Sequence, residues 1–166
     1  MAKTWKDSDI NLDPIKDQTI GIIGYGIQGD AQANNLKDSG LKVIVGLKEG
    51  GSSWNKAKND GHEVMSVSEA CKKADIIHVL IPDMVQSKVY KDEIEPNLSE
   101  GKALAFSHAA AIYWGWIKAP DNVDVIMVAP KGPGSKVRET YLDGFGTPSI
   151  VAVEQDKTGT AWDRTL

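Results

Sequence analysis

The sequence predicts an α/β fold: a doubly wound, mostly parallel sheet with helices on both faces. Three observations carry this expectation. Short β-branched apolar runs recur along the chain, as strands buried on both faces require. More polar, helix-forming stretches alternate with them. Glycine or proline punctuates many of the boundaries. At 166 residues the chain can bury one sizeable core without disulfides or metals, so residues 1–166 are expected to form a single domain.

Residues 1–18 are polar with isolated apolar positions, and Asp13-Pro14 with Lys16-Asp17-Gln18 reads as a lead-in loop. Thr19 to Ile23 is the first strand and runs into Gly24-Tyr25-Gly26-Ile27-Gln28-Gly29. From Asp30 to Ser39, Ala31, Ala33 and Leu36 stand among polar residues as in a helix, with Gly40 as its stop. Leu41 to Val45 is a second strand, Trp54 to Asp60 a short helix ended by Gly61, and His62 to Met65 a third, shorter strand. Ser66-Val67-Ser68-Glu69-Ala70 resembles a capped helix start, with either serine able to cap, and Asp75 closes that helix. Ile76 to Ile81 gives the strongest buried-strand signal, is halted by Pro82, and leads into a helix from Asp83 to Tyr90. Further strands are expected at Lys102 to Phe106, Asp124 to Val128 and Ser149 to Val153. No repeat, low-complexity segment or linker divides the chain.

Composition narrows the function classes. A net charge of −4 with scattered Lys and Arg argues against nucleic acid as a partner. No apolar run approaches the roughly 20 residues of a membrane span. Cys71 stands alone, so no internal disulfide is expected, and the start from Met1 to Trp5 lacks the apolar stretch of a secretory signal; the expected location is the cytoplasm. No cluster of His, Cys, Asp or Glu has metal-ligand spacing, so no metal site is expected in this chain.

The sequence Gly24-x-Gly26-x-x-Gly29 lies between an expected strand and an expected helix, the context that makes it a dinucleotide-binding fingerprint. The first glycine permits the turn, the second lets backbone N–H groups approach a pyrophosphate, and the third lets helix and strand pack closely. The fold is therefore expected to be Rossmann-like; the plainer reading is a glycine turn kept for backbone geometry alone. Asp30 would repel a phosphate unless it points away, and reads best as an acid at a helix start. Where NAD-binding folds often carry Asp or Glu, at the end of the second strand, this chain has Gly46. The loop beyond it offers Lys48 and the hydroxyls of Ser52 and Ser53, which suit a 2′-phosphate and lean the choice to NADPH. Glu49 pulls toward the free ribose hydroxyls of NADH, and a plain solvated turn is the third reading.

Several segments then resemble one family, the ketol-acid reductoisomerases: the glycine turn with Ala31-Gln32-Ala33, Val45-Gly46-Leu47, and Leu80-Ile81-Pro82-Asp83-Met84-Val85-Gln86. More specific are Phe106-Ser107-His108 and the stretch from Asp124 through Ala129-Pro130-Lys131-Gly132-Pro133-Gly134, extended by Val137-Arg138 and by Gly144 to Pro148. The resemblance runs from about residue 4 to the end. It implies an enzyme of branched-chain amino acid synthesis that converts 2-acetolactate or 2-aceto-2-hydroxybutyrate to a 2,3-dihydroxy acid. A magnesium-dependent alkyl migration is followed by hydride transfer from the nicotinamide. It also implies that Tyr25, Gly26, Ile27, Gln28, Lys48, Ser53 and the segment Pro82, Asp83, Met84, Val85, Gln86 face the cofactor, with Gly134 close by, and that His108 and Lys131 are the catalytic side chains. A histidine can manage a proton near neutral pH, and a lysine can stabilise developing negative charge; their plainer readings are a structural donor and a turn cap. His62 and His78 read as structural.

Two departures stand out. Gly51 replaces a serine common in the family, and Ala109 replaces the glycine usual after the histidine, which would strain the backbone if that position needs positive φ. Trp114 and Trp116 beyond it are expected either in the core or against a partner domain. The family continues past this point into a helical domain whose carboxylates hold two magnesium ions, and those carboxylates are absent from this chain. Three functions follow: half of a reductoisomerase, a dinucleotide-binding module without catalysis of its own, or part of another two-domain hydroxy-acid dehydrogenase. The segment from Pro130 to Gly134 argues against the last.

Overall fold

The computed structural model describes residues 3–166; Met1 and Ala2, the first residues of the segment read as lacking a secretory signal, lie outside the described residues. The strands are β1 (Thr19–Ile23), β2 (Lys42–Gly46), β3 (Glu63–Met65), β4 (Ile76–Val79), β5 (Ala103–Phe106), β6 (Asp124–Pro130) and β7 (Ser149–Gln155). They form one sheet in the order β3-β2-β1-β4-β5-β6-β7. All pairs are parallel except β6 with β7, which is antiparallel. An antiparallel edge on a parallel sheet is a common ending for this architecture, and the exposed Ser149, Ile150 and Glu154 fit an edge strand.

The helices are α1 (Ile27–Asp38), α2 (Trp54–Asn59), α3 (Val67–Lys73), α4 (Asp83–Val89), α5 (Ala110–Tyr113), α6 (Gly134–Leu142) and α7 (Ala161–Thr165). Side chains alternate across a strand, so β1 sends Ile20 and Ile22 to one core and Ile23 to the other. On one face Ile23, Ile44, Ile77, Leu104 and Phe106 pack with Ala70 and Cys71 of α3 and Ala111 of α5. On the other, Ile22, Val45, Ala105 and Ile126 pack with Ala33, Ala57 and Ala161 of α1, α2 and α7. This double burial is why the strands read as continuous apolar runs.

Several boundaries differ from expectation. The helix after the glycine turn starts at Ile27 rather than Asp30, because Gly26 is already its extended N-cap. Strand β4 ends at Val79 rather than Ile81; Leu80 still donates its N–H to Ile23 O (2.8 Å), and the chain then leaves the sheet. The helix expected to end at Tyr90 continues as a widened turn, Tyr90–Ile94, which buries both its end residues. Ser66 is the capping serine: Glu69 N–H donates to its Oγ (3.3 Å), and the Glu69 carboxylate accepts from Ser66 N–H (3.1 Å). The core reading for Trp114 and Trp116 is overturned: both lie on the surface beside the exposed Tyr113, because α5 is one short turn that turns only Ala111 fully inward.

Asp124, wholly buried at the start of β6, holds the returning chain. It accepts from the N–H groups of Lys157 (2.7 Å) and Thr158 (3.0 Å) and from the Thr158 hydroxyl (2.7 Å), and pairs with Arg164 (3.2 Å). Burial alone would raise this carboxyl; the bonds from Thr158 and Lys157 and the Arg164 charge outweigh it and hold it below the usual carboxylate range.

Candidate functional site

Strand order reverses between β1 and β4, and a crevice opens there beyond their carboxyl ends. The three glycines of the turn at its edge have different physical reasons. Gly24 has φ +100, and a Cβ on it would lie 2.9 Å from Leu80 O. A Cβ on Gly29 would collide with the Gly24 carbonyl, so helix and turn meet only without it. Gly26 has an ordinary φ of −80, and a Cβ there would meet no protein atom within 4 Å. Neither backbone strain nor packing within the protein requires a glycine at this position. Open space above the first turn of α1, whose N-cap contributes no side chain, is the clearance and donor set an anion uses at a helix N-terminus.

Asp30 is not aimed at that turn. It accepts from Lys56 Nζ (2.6 Å) and Asn34 Nδ2 (2.8 Å), away from the helix mouth. The Tyr25 side chain is buried: its hydroxyl donates to Asp60 (2.8 Å) and accepts from Asn34 (3.0 Å), while its ring meets His62 edge-on. Burial, then the Asp60 bond, push that phenol far above its usual range. Only the backbone of Tyr25 can face a ligand; the side chain straps the turn to the end of α2.

The loop after β2 begins at Gly46, where an added Cβ would press on Ile23 and Ala70. That position points into the core and cannot present a carboxylate. Lys48 and Glu49 are exposed, Gly51 N–H closes a turn on Lys48 O (3.0 Å), and a Cβ on Gly51 would crowd that carbonyl at 2.9 Å. Ser52 is exposed, and Ser53 stands at the N-cap of α2 without spending its hydroxyl on the helix.

Across the crevice, Pro82 caps α4, and Asp83, Met84 and Val85 are exposed, Met84 almost completely. Gln86 turns inward and donates to Ile81 O (2.9 Å) and Asp83 Oδ1 (3.1 Å), so it shapes the turn rather than its surface. A Cβ on Gly134 would collide with the Ile27 backbone, which explains how α6 closes against the glycine turn. His108 follows β5 and Lys131 follows β6; both line a cavity of about 370 Å³ walled by Tyr113, Trp114 and Ile150. His108 also lines an adjoining cavity of about 190 Å³ with Gln28, Asp83 and Ser107. Its Nδ1 lies 3.9 Å from Asp83 Oδ2. Ala109 has φ −79, so the strain expected at this position is absent.

Ser107 and Gln32 carry no role legible in the sequence and His78 reads there as structural, yet the three are hydrogen-bonded at the floor of the crevice. The available signal was the spacing of four between Gln28 and Gln32, which places both on one helix face. Among the described residues no group of three or more His, Cys, Asp or Glu could hold a metal ion, and no helix is long and apolar enough to cross a membrane.

A family model described as "Acetohydroxy acid isomeroreductase, NADPH-binding domain" matches residues 14–166. The ketol-acid reductoisomerase (NADP(+)) of Nitrosopumilus maritimus is 81% identical over 166 residues, which is 100% of this chain and 50% of that protein. That of Methanocaldococcus jannaschii is 60% identical over 161 residues, 97% of this chain and 49% of that protein. A solved structure, an NADH-preferring ketol-acid reductoisomerase from an uncultured archean, superposes with a TM-score of 0.92 at 48% identity, covering 95% of this chain and 49% of that one. The chain thus spans about half the length of the curated relatives it matches.

Proposed function

Since the chain belongs to the acetohydroxy acid isomeroreductase family, as its NADPH-binding domain, we propose that it binds NADPH across the glycine turn as the nucleotide half of a ketol-acid reductoisomerase. Gly26 carries this reading: it is glycine where the protein itself has no need of one, above helix donors that suit a pyrophosphate. The N–H groups at the start of α1 bind the pyrophosphate, Lys48, Ser52 and Ser53 take the 2′-phosphate, and the exposed Ile27, Met84 and Val85 give apolar surface to the rings. Bound NADPH supplies a hydride. His108 and Lys131 face the space beyond it, where the lysine stabilises negative charge on a 2-keto or 2-hydroxy acid and the histidine handles a proton at its ring nitrogen. The 166 residues act as one domain in the cytoplasm. Magnesium is the metal of the complete two-domain enzyme, where it would assist the alkyl migration.

NADH is a second reading, favoured by the exposed Glu49 beside Lys48 and by the NADH preference of the archaeal structure. Two preparations test the function. Alone, with magnesium, NADPH and 2-acetolactate, the chain should bind cofactor and leave acetolactate unreacted. Joined to the carboxyl-terminal half of the Nitrosopumilus relative, it should oxidise NADPH on adding acetolactate, and His108→Ala or Lys131→Ala should cut that rate at least about a hundredfold. Turnover by the chain alone would contradict the division of labour, and full activity of both variants would contradict the assigned residues.

A further inference from the structure

A line of polar side chains, with His78 and Gln32 buried and Ser107 and Gln28 half-buried, crosses the floor of the crevice and joins four elements. His78, on β4, bonds through Nε2 to Ser107 Oγ (3.1 Å) just past β5. Ser107 donates its proton to Val128 O on β6 (2.8 Å), which leaves its lone pairs for His78 and for Gln32 Nε2 on α1 (3.2 Å). The second proton of Gln32 Nε2 goes to Gln28 Oε1 (3.0 Å), one helical turn back, and Gln28 Nε2 donates to Gly132 O (3.0 Å) in the turn before α6. His78 and Gln32 are 7% and 8% exposed, so these bonds form largely away from water, where losing a partner costs most.

The geometry points to Ser107, Gln32 and His78 as positioning residues: through Gln28 they hold His108 and the Lys131-Gly132 turn against α1 in one hydrogen-bonded unit and so set the nicotinamide end of the cleft, while the glycine turn keeps its own Tyr25–Asp60 strap. This rests on the cofactor reading above. Ser107 immediately precedes His108, and its bond to Val128 O ties the ends of β5 and β6 three residues before Lys131. Gln28 reaches from the pyrophosphate turn to the far wall. The two halves of the sheet, which meet at the crevice, are thereby cross-linked by side chains at the level where a cofactor would lie. Directionality fixes each member. Burial lowers the His78 pKa to about 4, so its ring is neutral and carries its single proton on Nε2, toward Ser107. Gln32 must be an amide, because a carboxylate of the same shape could donate to neither neighbour.

The test compares the Kd of NADPH with that of 2′-phospho-ADP-ribose, which lacks the nicotinamide, for wild type, Gln32→Glu, Ser107→Ala and Ser107→Thr. Expected is an approximately tenfold rise in the NADPH Kd for Gln32→Glu and Ser107→Ala, about the effect of one lost buried hydrogen bond. The fragment Kd should stay within about twofold, and Ser107→Thr, which keeps the hydroxyl, should bind NADPH as wild type does. Unchanged NADPH affinity in both disruptive variants, or parallel loss of both ligands, would overturn the positioning role. Wild type that binds neither ligand would refute the cofactor reading instead. In that case nitrogen-15 NMR still decides the network without cofactor. His78 should show its proton on Nε2, and Gln32→Glu should shift the amides of His108 and Gly132 while leaving that of Ala161 in place; unmoved His108 and Gly132 amides would sink the proposal.

Discussion

Gly26→Ala and Gly134→Ala should separate binding from folding. At Gly26 the added methyl meets no protein atom, and φ −80 suits alanine. Reduced freedom of the unfolded chain favours the variant by about 0.4–1 kcal/mol, while alanine is a poorer N-cap than glycine by a similar amount. The two effects nearly cancel. For a chain of this size about 1 kcal/mol moves Tm by ~2–4 °C, so Gly26→Ala should melt within ~3 °C of wild type. Its methyl, however, occupies the space where the pyrophosphate must approach the helix donors. Loss of one charge-assisted hydrogen bond, about 1.5–3 kcal/mol, should raise the NADPH Kd by ten- to a hundredfold, roughly. Gly134→Ala behaves oppositely in stability, because its methyl collides with the Ile27 backbone and must push α6 from α1. Overpacking of about 2 kcal/mol should lower Tm by ~4–8 °C. Thermal melting and NADPH fluorescence titration read both effects. Wild-type affinity in Gly26→Ala, or a loss of more than ~8 °C in its Tm, would refute the argument that this glycine serves a ligand.

Three further outcomes follow from buried groups. Asp124→Ala leaves Arg164, two N–H groups and a hydroxyl without their acceptor and should cost about 3–5 kcal/mol, seen as a shift in the urea midpoint. The folded pKa of Asp124 is lowered, so its stabilisation is full above the unfolded value near 3.9 and fades as pH falls through the folded one; the variant should show a shallower acid loss. His78 is lowered to about 4, so between about pH 6.5 and 4 the unfolded chain binds a proton that the fold does not, and stability should fall on acidification by on the order of 3 kcal/mol. His62, lowered by burial and then by Lys37, adds to the same slope. A flat stability profile across that window would contradict the buried, neutral rings. The Cys71 thiol, pushed up to about 12 by burial, should resist a thiol reagent at pH 8 until the chain unfolds, and rapid labelling of the native protein would contradict its place in the core.

The β-branched runs of β1, β2 and β4 and the glycine turn were legible because each is a local pattern with one physical reading, and their alternation with helices announced the sheet. The antiparallel return of β7 was not, since strand direction depends on where a connection leads rather than on the strand's own residues. Helices α5, α6 and α7 escaped notice because they are short and turn few apolar residues inward. At the site, the loop from Lys48 to Ser53 and the pair His108 and Lys131 stood out by chemistry or resemblance, and the fold brings the pair to one cavity. Tyr25 and Gln86 looked like contacts, but burial turns both side chains inward, and nothing in a linear sequence shows that direction. The bonds among His78, Ser107 and Gln32 join positions up to 75 residues apart, which only the tertiary structure aligns.

The measurement that bears most directly on the account is a calorimetric titration of the chain with NADPH and with NADH, each with and without magnesium. NADPH should bind more tightly than NADH, the difference should shrink in Lys48→Ala, and magnesium should change neither affinity. Failure of both cofactors to bind would contradict an intact dinucleotide site at the glycine turn.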